Sequence, residues 1–183
     1  IKLSIEKTGQ DPFAIDLRIP AWASQAEITV NGEKSKEKPI AGSYLSLSRK
    51  WKKGDEIELN LPMTARLMEA NPLVEETRNQ VAVMRGPIVY CIESPDLHNL
   101  GIFDVELPAA IQFTPVKEMV AGASLTFLEG QALLQGKPDW QGKLYQAVDQ
   151  KITLQPINIR LIPYFAWGNR GESEMAVWMP LRK

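Results

Sequence analysis

The run from Val81 to Glu93, Val-Ala-Val-Met-Arg-Gly-Pro-Ile-Val-Tyr-Cys-Ile-Glu, leaves few folds open. Val81 and Val83 alternate before a break at Arg85-Gly86-Pro87, and Ile88, Val89, Tyr90, Cys91 and Ile92 follow it without alternation. A short, continuous apolar run rich in β-branched and aromatic residues suits a strand buried on both faces. Glycine and proline inside such a run predict a bulge or kink, where a strand turns from one sheet toward another. The stretch therefore belongs at the centre of an all-β core.

The rest of the chain supports that reading. Phe13, Ile15, Leu17 and Ile19 alternate with Ala14, Asp16 and Arg18, the period of a half-buried strand that Pro20 ends. Ala26 to Val30 is a second strand, and it runs into Asn31-Gly32, a dipeptide suited to type I′ turns with positive φ at both central positions. A strand returns from Glu33, Tyr44 to Leu47 alternates, Trp51 to Asp55 is a turn, and Ile57, Leu59 and Leu61 form the next inward face. After Pro62, Thr64 to Met68 reads as a crossing strand that Ala70-Asn71-Pro72 breaks. Ser94 to Pro108 reads as loop. Short strands are expected at Ile111 and Phe113, Leu125 to Leu128, Ala132 to Leu134, Leu144 to Val148, Ile152 to Leu154, Ile157 to Pro163, and Met175 to Met179. The one helical possibility is a turn around Val116 to Val120. Many short strands separated by turns, without amphipathic helices, predict two small β-sandwiches in tandem (jelly-roll or immunoglobulin-like), residues 1–64 and 65–183.

Composition narrows the function. Lys plus Arg is 21 and Asp plus Glu is 22, a balance that argues against a nucleic-acid partner. No run of 18 apolar residues predicts a membrane-spanning helix. The opening Ile1-Lys2-Leu3-Ser4-Ile5 has no signal-peptide pattern and reads as a strand cut into mid-protein. The single cysteine, Cys91, lies in the most apolar run, where an inert buried thiol is expected. With His98 as the single histidine, Cys and His alone cannot build a zinc site. Glu75 with Glu76, and Glu172 with Glu174, are the carboxylate pairs to test against glycoside hydrolysis; the first two are adjacent and read as solvated in a polar loop, the second two share a face only if that piece is extended, and neither pair is expected to be catalytic. Gly168-Asn169-Arg170-Gly171 lacks any phosphate-loop spacing and reads as a turn. Trp22, Trp51, Trp140, Tyr164, Trp167 and Trp178 offer aromatic faces for sugar rings, and Trp22, Trp140 and Trp167 sit in predicted loops, where binding residues concentrate. Filling cores and domain seams is the competing use of such aromatics.

Several stretches in order resemble one family. They are Leu17 to Trp22, Val30-Asn31-Gly32-Glu33, Trp51 to Ile57, Leu61-Pro62-Met63, Ala70-Asn71-Pro72, Val81 to Glu93, Ile162 to Gly171 and Met175 to Trp178. Together they resemble the C-terminal part of glycoside hydrolase family 127 (formerly DUF1680), the β-L-arabinofuranosidases, with least resemblance between Ser94 and about Gln150. The resemblance implies a chain made of the β-sandwiches that follow an N-terminal (α/α)6 catalytic barrel. That barrel carries the family's cysteine nucleophile, its glutamate acid/base and a zinc held by glutamate and cysteines. None of those residues matches a position here, so no catalytic residue, metal ligand or cofactor is expected within the chain.

Two roles follow. One is a non-catalytic support for the barrel of the same polypeptide, with a surface left unusually apolar in isolation. The other is a carbohydrate-binding module that grips glycan through Trp22, Trp140 or Trp167. No nucleic-acid or membrane partner is expected, and the compartment depends on whether a signal peptide precedes the chain.

Overall fold

The computed structural model describes residues 1–98, 100–136, 141–147 and 153–183, which form two compact units, Ile1–Thr64 and Ala65–Lys183. The fold is all-β, and among the described residues the only helices are 3₁₀ turns of three or four residues.

The first unit contains strands β1 (Lys2–Ser4), β2 (Phe13–Arg18), β3 (Glu27–Val30), β4 (Glu33–Lys34), β5 (Tyr44–Arg49) and β6 (Glu56–Asn60). One sheet runs β1-β6-β3-β4, and β2 pairs with β5 as a second. Leu17 and Leu47 from the pair meet Ile28, Ile57 and Leu59 from the four-stranded sheet, a sandwich core closed by Ile19 and Trp51. Trp51 is 1% exposed and donates its indole N–H to the Phe13 carbonyl at 3.1 Å. Asn31 and Gly32 both have positive φ, 53° and 79°, as the type I′ expectation requires. Asn31 also donates to Asp55 Oδ1 at 2.9 Å and accepts from the Glu56 amide at 2.8 Å, which pins the hairpin to the start of β6. Asp55, itself buried, accepts from the Lys52 amide at 2.8 Å. These bonds, Asn31's first, hold its carboxyl below the usual range.

The second unit contains β7 (Ala65–Glu69), β8 (Gln80–Arg85), β9 (Ile88–Glu93), β10 (Val105–Pro108), β11 (Thr114–Val120), β12 (Ala123–Gln135), β13 (Leu154–Pro163), β14 (Met175–Ala176) and β15 (Trp178–Arg182). Neighbouring pairs run β9-β13-β12-β10-β15-β8, and β8 pairs back to β9, so six strands close into a flattened ring. All pairs are antiparallel except β10 with β15. Each ring strand therefore has a paired neighbour on both sides over part of its length. Every ring strand sends side chains inward, among them Val83, Tyr90, Leu107, Leu128, Leu161 and Met179, all completely buried. Burying a side chain of this size contributes about 1.5–3 kcal/mol.

Several sequence expectations are corrected here. Arg85-Gly86-Pro87-Ile88 is a two-residue hairpin turn, with Arg85 opposite Ile88, and not a kink leading into another sheet. Gly86 has φ 57°, and proline at the next position excludes a second positive φ, which leaves the type II′ arrangement. Val116 to Val120 belongs to β11 and not to a helical turn. It pairs along β12 through a turn at Ala121 and Gly122, both at positive φ, so cross-strand pairing decides its state. The two separate strands expected at Leu125 and Ala132 are one strand, β12, whose Gly130 lets Phe113 pack against its backbone. Ser94 to Pro108 carries two 3₁₀ turns and β10. Ile111 and Phe113 precede a strand, and the closing run splits into β14 and β15 around Val177. Leu144 to Ala147 is not strand, while Val148 and Ile152 lie outside the described residues.

β9 is buried on both faces, as its uninterrupted apolar run implies. Tyr90 and Ile92 point into the ring, whereas Cys91 points outward into a second cluster with Leu125, Phe127, Ile162 and Ala166. The connection from β13 to β15 covers that outer cluster.

Candidate functional site

That covering connection carries the most distinctive side chains of the second unit. β13 ends at Pro163, and Tyr164–Ala166 forms a 3₁₀ turn closed by the Trp167 amide donating to the Tyr164 carbonyl at 3.1 Å. Side chains of a 3₁₀ turn point roughly 120° apart, three residues per turn. Ala166 faces inward, while Tyr164, Phe165 and Trp167 are 47%, 67% and 44% exposed. Three large aromatics thus stand in solvent on one short turn.

A buried ionic clasp holds this turn. Glu93, at the end of β9, is 1% exposed. Its Oε1 accepts from the Gly168 amide at 3.0 Å and the Ser173 hydroxyl at 3.0 Å. Its Oε2 accepts from Arg170 Nε at 3.2 Å and from Arg170 Nη2. The same guanidinium meets Asp96 end-on, Nη1 to Oδ1 at 2.9 Å and Nη2 to Oδ2 at 2.6 Å. Such bidentate, charge-assisted bonds are stronger than neutral ones and fix direction. Asp96 first, and then Glu93, hold the guanidinium more firmly charged than usual against the opposing effect of burial. Arg170 also lies over the Phe127 ring at 5.5 Å, and Arg160 lies over it at 3.9 Å. Backbone bonds add to the clasp, with Ser94 N to the Glu174 carbonyl at 3.0 Å and Glu174 N to Ser94 Oγ at 3.1 Å. Gly168 and Gly171, at φ 78° and 113°, allow the chain to double back between these anchors.

The residues singled out by sequence fare differently. Trp167 is exposed beside Tyr164 and Phe165. Trp22 is half-buried against the core of the first unit, so it offers part of a face at most. Trp140 lies outside the described residues. Trp51 is a core residue. Glu75 and Glu76 sit exposed on a 3₁₀ turn, and Glu172 and Glu174 are exposed. Cys91 is completely buried, and burial, helped by the Glu93 carboxylate, pushes its thiol up to about 12. A thiol in that state is neither a nucleophile nor a metal ligand at neutral pH. A zinc site of cysteine and glutamate does not fit this chain: its one thiol is locked in the outer cluster. Among the described residues, no three His, Cys, Asp or Glu side chains gather to hold a metal.

The clasp was not singled out from sequence. Its signal was a carboxylate at the end of a doubly buried strand and an arginine between two glycines, but only the fold brings positions 93 and 170 together. A polar groove of about 750 Å³ lies along the outer face of β12 and β13, lined in part by Asp96, His98, Gln112, Gln131, Asn158 and Arg160. No Trp, Tyr or Phe lines it among the described residues.

Both units match known domains. Residues 65–180 match the glycoside hydrolase family 127 C-terminal domain, and residues 1–63 match the GH127 middle domain of β-L-arabinofuranosidase. A non-reducing end β-L-arabinofuranosidase of Bifidobacterium longum subsp. longum is 34% identical over 177 residues, which cover 88% of this chain and 25% of that protein. A solved structure described as a glycoside hydrolase superposes with a TM-score of 0.91 at 43% identity, over 100% of this chain and 30% of its own. A GH127 β-L-arabinofuranosidase from Geobacillus stearothermophilus T6 gives a TM-score of 0.84 at 35% identity, over 94% of this chain and 27% of its own. The chain therefore spans between a quarter and a third of the relatives it matches. With both of its units accounted for by domains of one family, the chain belongs to glycoside hydrolase family 127.

Proposed function

We propose that the chain is the non-catalytic β-sandwich portion of a longer bacterial glycoside hydrolase of the β-L-arabinofuranosidase type. It supports an N-terminal (α/α)6 barrel that removes L-arabinofuranosyl units from plant glycans and holds whatever zinc the reaction uses. The observation that carries this reading is that middle and C-terminal domain matches occupy residues 1–63 and 65–180, while the chain spans only 25% of a β-L-arabinofuranosidase relative. The residue chemistry agrees, since the one thiol is buried and the Glu93 and Asp96 carboxylates are committed to Arg170.

The test is arabinofuranosidase activity on an aryl arabinofuranoside, measured for this 183-residue chain beside the longer polypeptide that contains the barrel. Turnover by the longer polypeptide alone supports the reading. Turnover by the 183-residue chain overturns it and makes Glu75, Glu76, Glu172 and Glu174 the first residues to replace. The exposure of Trp167 favours a second reading, a glycan-binding module. Saturable binding of arabinose-containing oligosaccharides, lost in Trp167→Ala, would establish it.

A further inference from the structure

We infer that the Tyr164–Trp167 turn is the surface through which the second unit docks onto the catalytic portion of the longer polypeptide. This rests on the function proposed above and names the element that carries it. Three observations converge.

The first is chemical. Tyr164, Phe165 and Trp167 are 47%, 67% and 44% exposed, and the segment from Tyr164 to Trp167 contains no charged residue. Tyrosine and tryptophan are enriched among the residues that dominate protein interfaces, and solitary exposure of three adjacent aromatics is costly in water.

The second is rigidity. The turn is anchored on one side by buried Pro163 and Ala166. On the other it is held by the Gly168 amide and Arg170, both bound to the buried Glu93 carboxylate. Holding a surface turn with a buried carboxylate is worthwhile where the bound geometry must exist before binding, because ordering a flexible loop on contact costs affinity.

The third is placement, and it selects the occupant. Small ligands are held in concave sites. Tyr164 and Trp167, three residues apart on a 3₁₀ turn, share one side of it, and none of the three aromatics lines the groove on β12 and β13. Exposed aromatics grouped on a turn outside that groove suit an apolar protein surface better than one small ligand. The relatives have a large portion that could carry such a surface, since 70% or more of their length lies outside the part matched by this chain.

The experiment places the photo-crosslinking residue p-benzoylphenylalanine at position 165 of the longer polypeptide and maps adducts by mass spectrometry. Adducts to residues preceding the segment matched here are expected. Adducts solely within this chain, adducts solely to a second copy, or a full-length product without adducts would each overturn the inference. In parallel, the tagged 183-residue chain is mixed with a separately expressed N-terminal portion. Phe165→Ala with Trp167→Ala should weaken that association at least tenfold while leaving the chain's own melting unchanged. Unaltered association in the double variant would also refute it. If the two pieces do not associate at all, the support function itself fails; if they associate but position 165 crosslinks elsewhere, the docking assignment alone falls.

Discussion

Replacing Arg170 by alanine strips two carboxylates of their common partner. Glu93 would keep the Gly168 amide and the Ser173 hydroxyl but lose both guanidinium bonds, and Asp96 would lose its bidentate pair. Breaking a buried ion pair by removing one partner costs about 3–5 kcal/mol. Glu93 is 1% exposed, but the side chains of Arg170 and Asp96 are 19% and 12% exposed, so water reaches part of the cluster. The expected cost is therefore at the lower end, about 3 kcal/mol. Glu93→Gln should also destabilise. In the double variant the unpaired buried charge is absent, so its cost should fall short of the sum of the two by about 2 kcal/mol, within the range seen for contacting residues. Urea denaturation followed by circular dichroism gives the stabilities, and hydrogen exchange at the Gly168 amide reports the clasp directly. An Arg170→Ala protein within about 1 kcal/mol of wild type, with Gly168 still protected, would refute the argument, because it would show that surface-pair energetics apply here.

Other outcomes follow from the same contacts. Cys91, raised to about 12 and completely buried, should resist a thiol reagent at pH 8 in the folded chain and react fully in denaturant. A raised thiol favours the fold below its unfolded value, so this contribution is complete at neutral pH. It is lost as pH climbs from about 8.5 toward the folded value, visible as a falling Tm. Trp51→Phe removes part of a core ring and leaves the Phe13 carbonyl without its donor, with an expected loss of about 2–4 kcal/mol in the first unit's denaturation transition. Asp55, lowered by its bonds to Asn31 and Lys52, stabilises the first unit above its unfolded value and ceases to do so as acid titrates the folded group. The Tm difference between wild type and Asp55→Asn should be present at pH 7 and shrink below about pH 4.

The sequence by itself determined the elements whose signals are local. Alternation at Phe13 to Ile19 and at Ile57 to Leu61 specifies half-buried strands, because successive side chains of a strand face opposite ways. Asn31-Gly32 specifies its turn through the conformations those residues tolerate. The unbroken run from Ile88 to Ile92 specifies burial on both faces, and the ordered family stretches specify the family. Tertiary structure alone decided that β8 pairs back to β9 and closes a ring, since Gly86-Pro87 is locally compatible with a kink or a turn and only cross-strand pairing chooses between them. It also decided that Val116 to Val120 extends beside β12, and that Trp51 is core while Trp167 is surface. The clasp belongs to this second class. Glu93 and Arg170 are separated by 77 positions, and nothing in their local sequence marks either as a partner until the strands carry them to the same end of β9.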